Sequence, residues 1–181
     1  MCGRYAATAD VGRLVEEFEV DEVTEAPPGP SWNVAPTDPV PAIVERKDRA
    51  VPDRFRRKLV PLRWGLVPSW SADASGGARM INARLETVAE KPAFRKAFAA
   101  RGCLLPADGY FEWYAASGKR KQPYFIHRGD GGLLVMAGIY EFWRDDTVPK
   151  GDTGAWVSSC SIITTAATDA AGRVHDRMPM V

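Results

Sequence analysis

Apolar positions change period several times along the 181 residues, and each change marks an element. Val11, Leu14, Val15 and Phe18 recur at three- and four-residue spacing, which predicts a short helix over 9–19 capped by Thr8 or Asp10. Residues 26–41 carry Pro27, Pro28, Pro30, Pro36, Pro39 and Pro41, which forbids regular helix and predicts an ordered extended loop, with Trp32 and Val34 as its anchors to the body. Residues 42–45 and 58–66 read as strands, 71–77 as a flexible polar segment and 79–85 as extended chain. Residues 91–100 look helical, with Pro92 in the first turn. One aromatic-rich strand is expected over 103–114, a hairpin turn at 117–119 and a partner strand over 122–127. After a second turn at 129–132, strands over 133–143 and 156–165 flank a polar loop at 144–154. A short helix over 168–174 would be capped by Thr168 or Asp169.

Several strands in hairpin order, a few short helices and no βαβ alternation predict an α+β fold, an antiparallel sheet forming a partly open β-barrel-like core. The length suits a single domain over 1–181. No apolar run approaches the ~20 residues of a membrane span. The N-terminus lacks a secretory layout, with Glu16, Glu17 and Glu19 close behind it. Cys2, Cys103 and Cys160 are odd in number and far apart, with no C-x-x-C, which argues against a disulfide framework and a zinc site. A reducing cytoplasm is the expected compartment.

Net charge is only +1, so composition does not mark a nucleic-acid binder. The charge is nevertheless uneven. Acidic residues crowd 16–25, while basic clusters occur at 54–58, at Arg95, Lys96 and Arg101, and at Lys119-Arg120-Lys121. Each basic cluster reads either as a solvated face or as part of a phosphate-binding stripe, the solvated face being the simpler account.

Cys2 carries the most distinctive chemistry. The initiator methionine is trimmed when the second residue is small, leaving a thiol and a free α-amine on one residue. The α-amine titrates at about 7.7–8.0 and a thiol at about 8.5, so both are partly deprotonated near neutrality. Such a 1,2-aminothiol attacks an aldehyde first through nitrogen and then through sulfur, closing a thiazolidine ring. Alternatively, Cys2 is a small buried core residue. Asn82 and Arg84 would share one strand face, suited to a sugar–phosphate unit, although an edge or turn position also accounts for the asparagine. Glu112 lies among Tyr110, Phe111, Trp113 and Tyr114, where poor solvation would make it an acid/base; an outward-facing strand position is the competing account. His175 precedes a loop, and Trp64, Trp70 and Trp113 lie near turns or charges, either as core or as stacking surfaces for bases.

Six segments then occur in one order: Met-Cys-Gly-Arg-Tyr at 1–5, Trp-Asn-Val-Ala-Pro at 32–36, Trp-Gly-Leu-Val-Pro at 64–68, Met-Ile-Asn-Ala-Arg-Leu-Glu-Thr at 80–87, Gly-Tyr-Phe-Glu-Trp at 109–113 and His-Asp-Arg-Met-Pro at 175–179. Together they resemble the SRAP family of SOS-response-associated peptidases, or abasic-site processing proteins. The resemblance implies binding of single-stranded DNA and covalent capture of a ring-opened abasic aldehyde on Cys2, protecting the strand. It implies Asn82, Glu112 and His175 as catalytic partners. Arg4, Arg84 and Arg177 would meet phosphates, with Pro36, Trp64, Trp70 and Trp113 as further DNA contacts. Autoproteolytic loss of Met1 and Schiff-base lyase chemistry go with the family, as do the absence of a cofactor and a monomer in the bacterial cytosol or nucleoid. Members normally continue for some tens of residues beyond the last motif, so the usual C-terminal portion is expected to be lacking. Two other readings begin from the same residues. One is an N-terminal-nucleophile peptidase or glutamine amidotransferase, which also starts Met-Cys-Gly. The other is a non-covalent single-stranded DNA-binding module.

Overall fold

The long apolar runs pair into a ring. The computed structural model describes residues 2–48, 50, 51, 53–115 and 121–181, the last without the side chains of Asp169 and Ala170, so Met1, the turn expected at 117–119, most of the basic cluster at 119–121 and the alternative capping side chain of Asp169 lie outside what is described. In chain order the elements are β1 (Arg4–Ala7), α1 (Val11–Glu17), β2 (Glu22–Val23), β3 (Ser31–Val34), β4 (Pro39–Lys47), β5 (Phe55–Trp64), a 3-10 turn (Ser75–Arg79), β6 (Asn82–Arg84), α2 (Arg95–Ala100), β7 (Gly102–Ala107), β8 (Gly109–Tyr114), β9 (Gln122–Ile126), β10 (Leu134–Arg144), a second 3-10 turn (Thr153–Ala155), β11 (Trp156–Ala166), α3 (Asp169–Gly172) and β12 (Arg177–Pro179).

Strands β11-β10-β7-β4-β5 run side by side, and β5 returns to β11 to close the barrel. Closure is a short parallel pairing, Arg63 with Ser159 and Trp64 with Cys160. Beyond it β5 and β11 part, and a cavity of about 750 Å³ opens between residues such as Arg56, Lys58, Phe142 and Ser158. The barrel is thus shut at one end and open at the other. Strand alternation sends Val40, Ala42, Leu62, Trp64, Leu105, Met136, Cys160 and Ile162 into one contiguous core. A second, four-stranded sheet of order β3-β1-β8-β9 adds Cys2, Tyr5, Val34 and Tyr110 to that same core.

Several expectations are corrected by this arrangement. Residues 103–114 are two strands in two different sheets, not one. Asp108 is the corner: its backbone N–H donates to Ala6 O (2.8 Å), and its carboxylate accepts from Thr8 N (2.7 Å). The proline-rich loop contains β3, and β4 begins inside it at Pro39. Pro39 and Pro41 are tolerated because β7 pairs with β4 only at Ile43 and Val44, leaving one neighbour where the amides are missing. The strand expected over 58–66 stops at Trp64, because Gly65 adopts φ +126°. A β-carbon at Gly65 would lie 2.6 Å from Gly77 O, so the chain after Trp64 packs backbone to backbone on the first 3-10 turn.

Helix α1 follows its predicted spacing and is capped by Asp10, whose carboxylate accepts from Arg13 N (2.9 Å). Leu14 and Phe18 seat it on Ile43, Leu59 and Leu133 outside the barrel. The acidic run after it meets the basic run of β5. Arg57 pairs with Glu19 (2.9 Å) and Glu45 (3.1 Å), Lys58 with Glu22 (2.8 Å), Arg56 with Asp48 (2.6 Å), and Arg54 with Asp21 (3.7 Å). The phosphate-binding reading of 54–58 falls, since each cation already faces a carboxylate. Among the described residues no helix is long and apolar enough to cross a membrane.

Candidate functional site

Cys2 lies just before β1, between the small sheet and the closed end of the barrel. It is 0% exposed and belongs to the main core cluster. Its carbonyl accepts a hydrogen bond from Asn82 Nδ2 at 2.8 Å. That asparagine opens β6, a three-residue strand held parallel to β11 by the register of Asn82 with Ile162. A strand this short needs little strand propensity from its first residue, because β11 dictates its path. Asn82 Oδ1 is buried and has no hydrogen-bond partner among the described residues. Glu112 stands on the inward face of β8 at 3% exposure, so the outward-facing account of this carboxylate is excluded.

Burial pushes the Cys2 thiol up to about 12, with the Glu112 charge adding to the effect and a backbone hydrogen bond at Arg4 opposing it. The resting sulfur is therefore a protonated thiol rather than a preformed thiolate. Tyr110, which was not among the expected site residues, is buried on the same face of β8 as Glu112. Its position two residues from Glu112 in an alternating strand was the available signal.

Other expected residues separate into exposed and internal groups. Trp70 (66% exposed) and Trp113 (40%) present their rings to solvent, as does Trp32 (69%), which does not anchor its segment to the body as expected. Arg4 starts β1 and donates from Nη1 to Asn33 Oδ1 (3.3 Å), and Arg84 is exposed at the end of β6. Pro36 lies in the β3–β4 turn, which Trp64 holds through Thr37 N to Trp64 O (2.7 Å) and Trp64 N to Asp38 O (2.9 Å). Trp64 itself is a correction. It is wholly buried, its indole N–H donates to Ile81 O (3.0 Å), and Tyr5 meets its ring edge-on at 5.1 Å. A ring enclosed in this way has no face for a base.

His175 precedes β12, which pairs with β11 at Thr164–Ala166. Its Nδ1 lies 3.0 Å from Arg177 N and 2.7 Å from Asp176 Oδ1. One contact needs a lone pair on Nδ1 and the other a proton; the backbone donor is fixed whereas Asp176 is exposed, so the tautomer accepting from Arg177 N is favoured. Among the described residues no hydrogen bond joins His175 to Cys2 or Asn82. The Arg177 guanidinium forks onto Glu86 (2.6 and 3.0 Å) and also reaches Thr164 O. It is committed inside the protein and ties the His175 segment to the chain after β6.

This pairing has a pH signature. Hydrogen bonds from Arg177 hold the Glu86 carboxyl down to about 2, below its ordinary 4.5. A depressed carboxyl stabilises the fold above its unfolded value and loses that contribution as pH falls towards the folded one. The stability advantage of the parent protein over Glu86→Gln is therefore expected to be full above pH 5 and to vanish as pH approaches 2. Denaturant unfolding of both proteins across that window measures it; an advantage independent of pH contradicts the assignment.

The family model described as SOS response associated peptidase (SRAP) matches residues 1–181. The abasic site processing protein YoqW of Bacillus subtilis is 37% identical over 182 residues, covering 100% of this chain and 75% of that protein. YedK of Escherichia coli, also an abasic site processing protein, is 32% identical over 185 residues, with the same coverage of 100% and 75%. HMCES of Rattus norvegicus, of the same description, is 31% identical over 84% of this chain and 50% of its own length. A crystal structure of a protein from Bacteroides thetaiotaomicron superposes with a TM-score of 0.78 at 27% identity, covering 98% of this chain and 75% of the other. Matched from end to end by the family model, and at over 30% identity by these relatives, the chain belongs to the SOS response associated peptidase (SRAP) family.

Proposed function

We propose that this protein recognises single-stranded DNA carrying an abasic site and traps the ring-opened aldehyde on Cys2 as a thiazolidine. The observation that carries the reading is the convergence of Asn82 and Glu112 on a buried second-residue cysteine, with Asn82 bonded to the Cys2 carbonyl at 2.8 Å. Relatives described as abasic site processing proteins support the substrate class.

The chemistry starts with loss of Met1, for which the family name supports a self-cleaving route. The freed α-amine adds to the aldehyde carbon, water leaves, and an imine remains. The thiol then adds across the imine, sulfur to carbon and its proton to nitrogen, and the five-membered ring closes. Asn82 holds the Cys2 backbone so that amine and sulfur face one carbon. Glu112 moves protons between amine, departing oxygen and thiol. His175 assists transfer at the edge of the site and in reversal. Removal of a proton from the sugar carbon beside the imine would instead expel the 3′ phosphate, the lyase outcome; ring closure consumes the imine before that step. Half-buried Arg4 and exposed Arg84 would meet phosphates, with Trp70, Trp113 and Trp32 as stacking surfaces and Pro36 on the rim. A phosphate role for Arg177 would require it to release Glu86.

Relatives described as abasic site processing proteins favour this reading over an N-terminal-nucleophile hydrolase. Intact-mass measurement tests the reading. Protein lacking Met1 is expected to gain the mass of the abasic strand less one water, in an adduct that survives heat and high salt. Protein retaining Met1 is expected to gain nothing, because its Cys2 nitrogen is part of a peptide bond. An equal adduct on Met1-bearing protein would overturn the aminothiol mechanism. A Met1-free protein that binds abasic and intact strands alike, without covalent gain, would establish the non-covalent module instead.

A further inference from the structure

Tyr110 has a hydroxyl that the fold does not use. The residue is 2% exposed, and its oxygen is buried without a hydrogen-bond partner among the described residues. Phenylalanine would fill the same space without stranding a polar atom, so a partner arriving with the ligand is the physical reason to keep the hydroxyl. Its place indicates which partner. Tyr110 and Glu112 share the inward face of β8, and Tyr110 is in register with Tyr5 on β1, the strand that leads back to Cys2. Cys2 and Tyr110 belong to one contiguous core cluster. A second unpartnered atom, Asn82 Oδ1, belongs to the residue whose amide nitrogen holds the Cys2 carbonyl. One donor-capable and one acceptor atom thus await a ligand around Cys2.

We propose that the Tyr110 hydroxyl donates the hydrogen bond that receives the aldehyde oxygen of the ring-opened sugar at Cys2. This deepens the aldehyde-trap reading and rests on it. As the α-amine adds, the C–N bond forms and the carbonyl π pair moves onto oxygen. The Tyr110 O–H stabilises that oxygen as charge develops. The two protons of the amine nitrogen pass in turn through the Glu112 carboxylate to the same oxygen, which leaves as water when the imine forms. Sulfur then bonds to the imine carbon and its proton goes to nitrogen. One amine, one thiol and one aldehyde become one thiazolidine and one water, with no oxidant or reductant. Tyr110 gives up no proton in the cycle. Burial, with the Glu112 carboxylate adding to it, pushes its hydroxyl up to about 12, so it remains a donor throughout the neutral range.

The test compares Met1-free parent protein, Tyr110→Phe and Tyr140→Phe on a single strand bearing one abasic site. Tyr140 is a buried tyrosine on β10, flanked by Arg46 at the open end of the barrel, and serves as the control. Tyr110→Phe is expected to form the same final adduct mass at a rate lower by on the order of 100-fold. Its affinity for an intact strand should be unchanged and its Tm equal to or above that of the parent, while Tyr140→Phe reacts at the parent rate. Parent-like kinetics in Tyr110→Phe overturn the proposal. So does a loss of Tm or of intact-strand affinity that accounts for the slower rate, since either assigns the hydroxyl a structural role. Failure of the parent itself to form an adduct brings down the aldehyde-trap reading and this proposal together. A reactive parent beside an equally reactive Tyr110→Phe removes Tyr110 alone.

Discussion

Replacing Cys2 by serine is expected to abolish the heat-stable adduct with abasic single-stranded DNA, with residual yield below about one per cent. The α-amine survives the substitution, so an imine still forms and borohydride still fixes it. Ring closure, however, needs a second nucleophile placed to complete a five-membered ring, and a hydroxyl is far weaker than a thiol in that role. The surroundings sharpen the contrast. Burial keeps the Cys2 sulfur protonated at rest, so on the proposed mechanism its advantage arises when Glu112 relays that proton to the imine nitrogen. A serine hydroxyl offers Glu112 a proton it holds much more tightly. Gel analysis after heating, with and without borohydride, separates the outcomes. A Cys2→Ser adduct as abundant and as heat-stable as the parent's without borohydride contradicts thiazolidine formation.

The largest stability effect is expected at Trp64. Truncation to alanine should destabilise the fold by about 3–5 kcal/mol, the range for a fully buried large aromatic. In a domain of this size that lowers Tm by roughly 10 °C or more. The position explains the magnitude. Trp64 ends β5 where the barrel closes on β11, its indole N–H satisfies Ile81 O just before β6, and its ring meets Tyr5 of the small sheet. One side chain therefore joins the barrel, the chain carrying Asn82 and the sheet carrying Cys2. Trp64→Phe is expected to keep much of the packing while leaving Ile81 O unpaired. Below their melting temperatures both variants should bind intact single strands with little change, unlike Trp70→Ala. Calorimetry and binding at low temperature check this; a Trp64→Phe protein of parental stability that loses DNA would return Trp64 to the interface.

What the sequence reveals depends on how local the deciding contact is. Helix α1 is legible because its spacing and its Asp10 cap lie within eight residues of each other. Glu112 is legible as a candidate because its own neighbours in β8 are aromatic. Trp64 and Trp70 stand at the two ends of one short segment, yet one is enclosed and the other is open. Burial there is decided by Tyr5 and Ile81, which the local pattern does not contain. Arg177 looks like a free cation until Glu86, 91 residues away, is brought beside it. The basic run of β5 looks like a phosphate stripe until β2 aligns alongside and brings Glu22 to Lys58. The corner at Asp108 carried a signal, Asp-Gly between two apolar runs, but the continuity of those runs outweighs it. Parallel closure through Cys160 and Trp64 has no local signature.

That cancellation of charge between β5 and the acidic segment before it also bears on how the protein searches. A surface whose cations are already spoken for exerts little pull on a polyanion from that side. Attraction is left to cations elsewhere, Arg4 and Arg84 close in sequence to Cys2 and Asn82 among them, and on the proposed reading these would bring an approaching strand to Cys2. On the same reading, undamaged strands, which offer no aldehyde, would be held only by screened contacts and would leave quickly. Selectivity would then arise from the length of each visit, with only a lesion converting a brief visit into a permanent one.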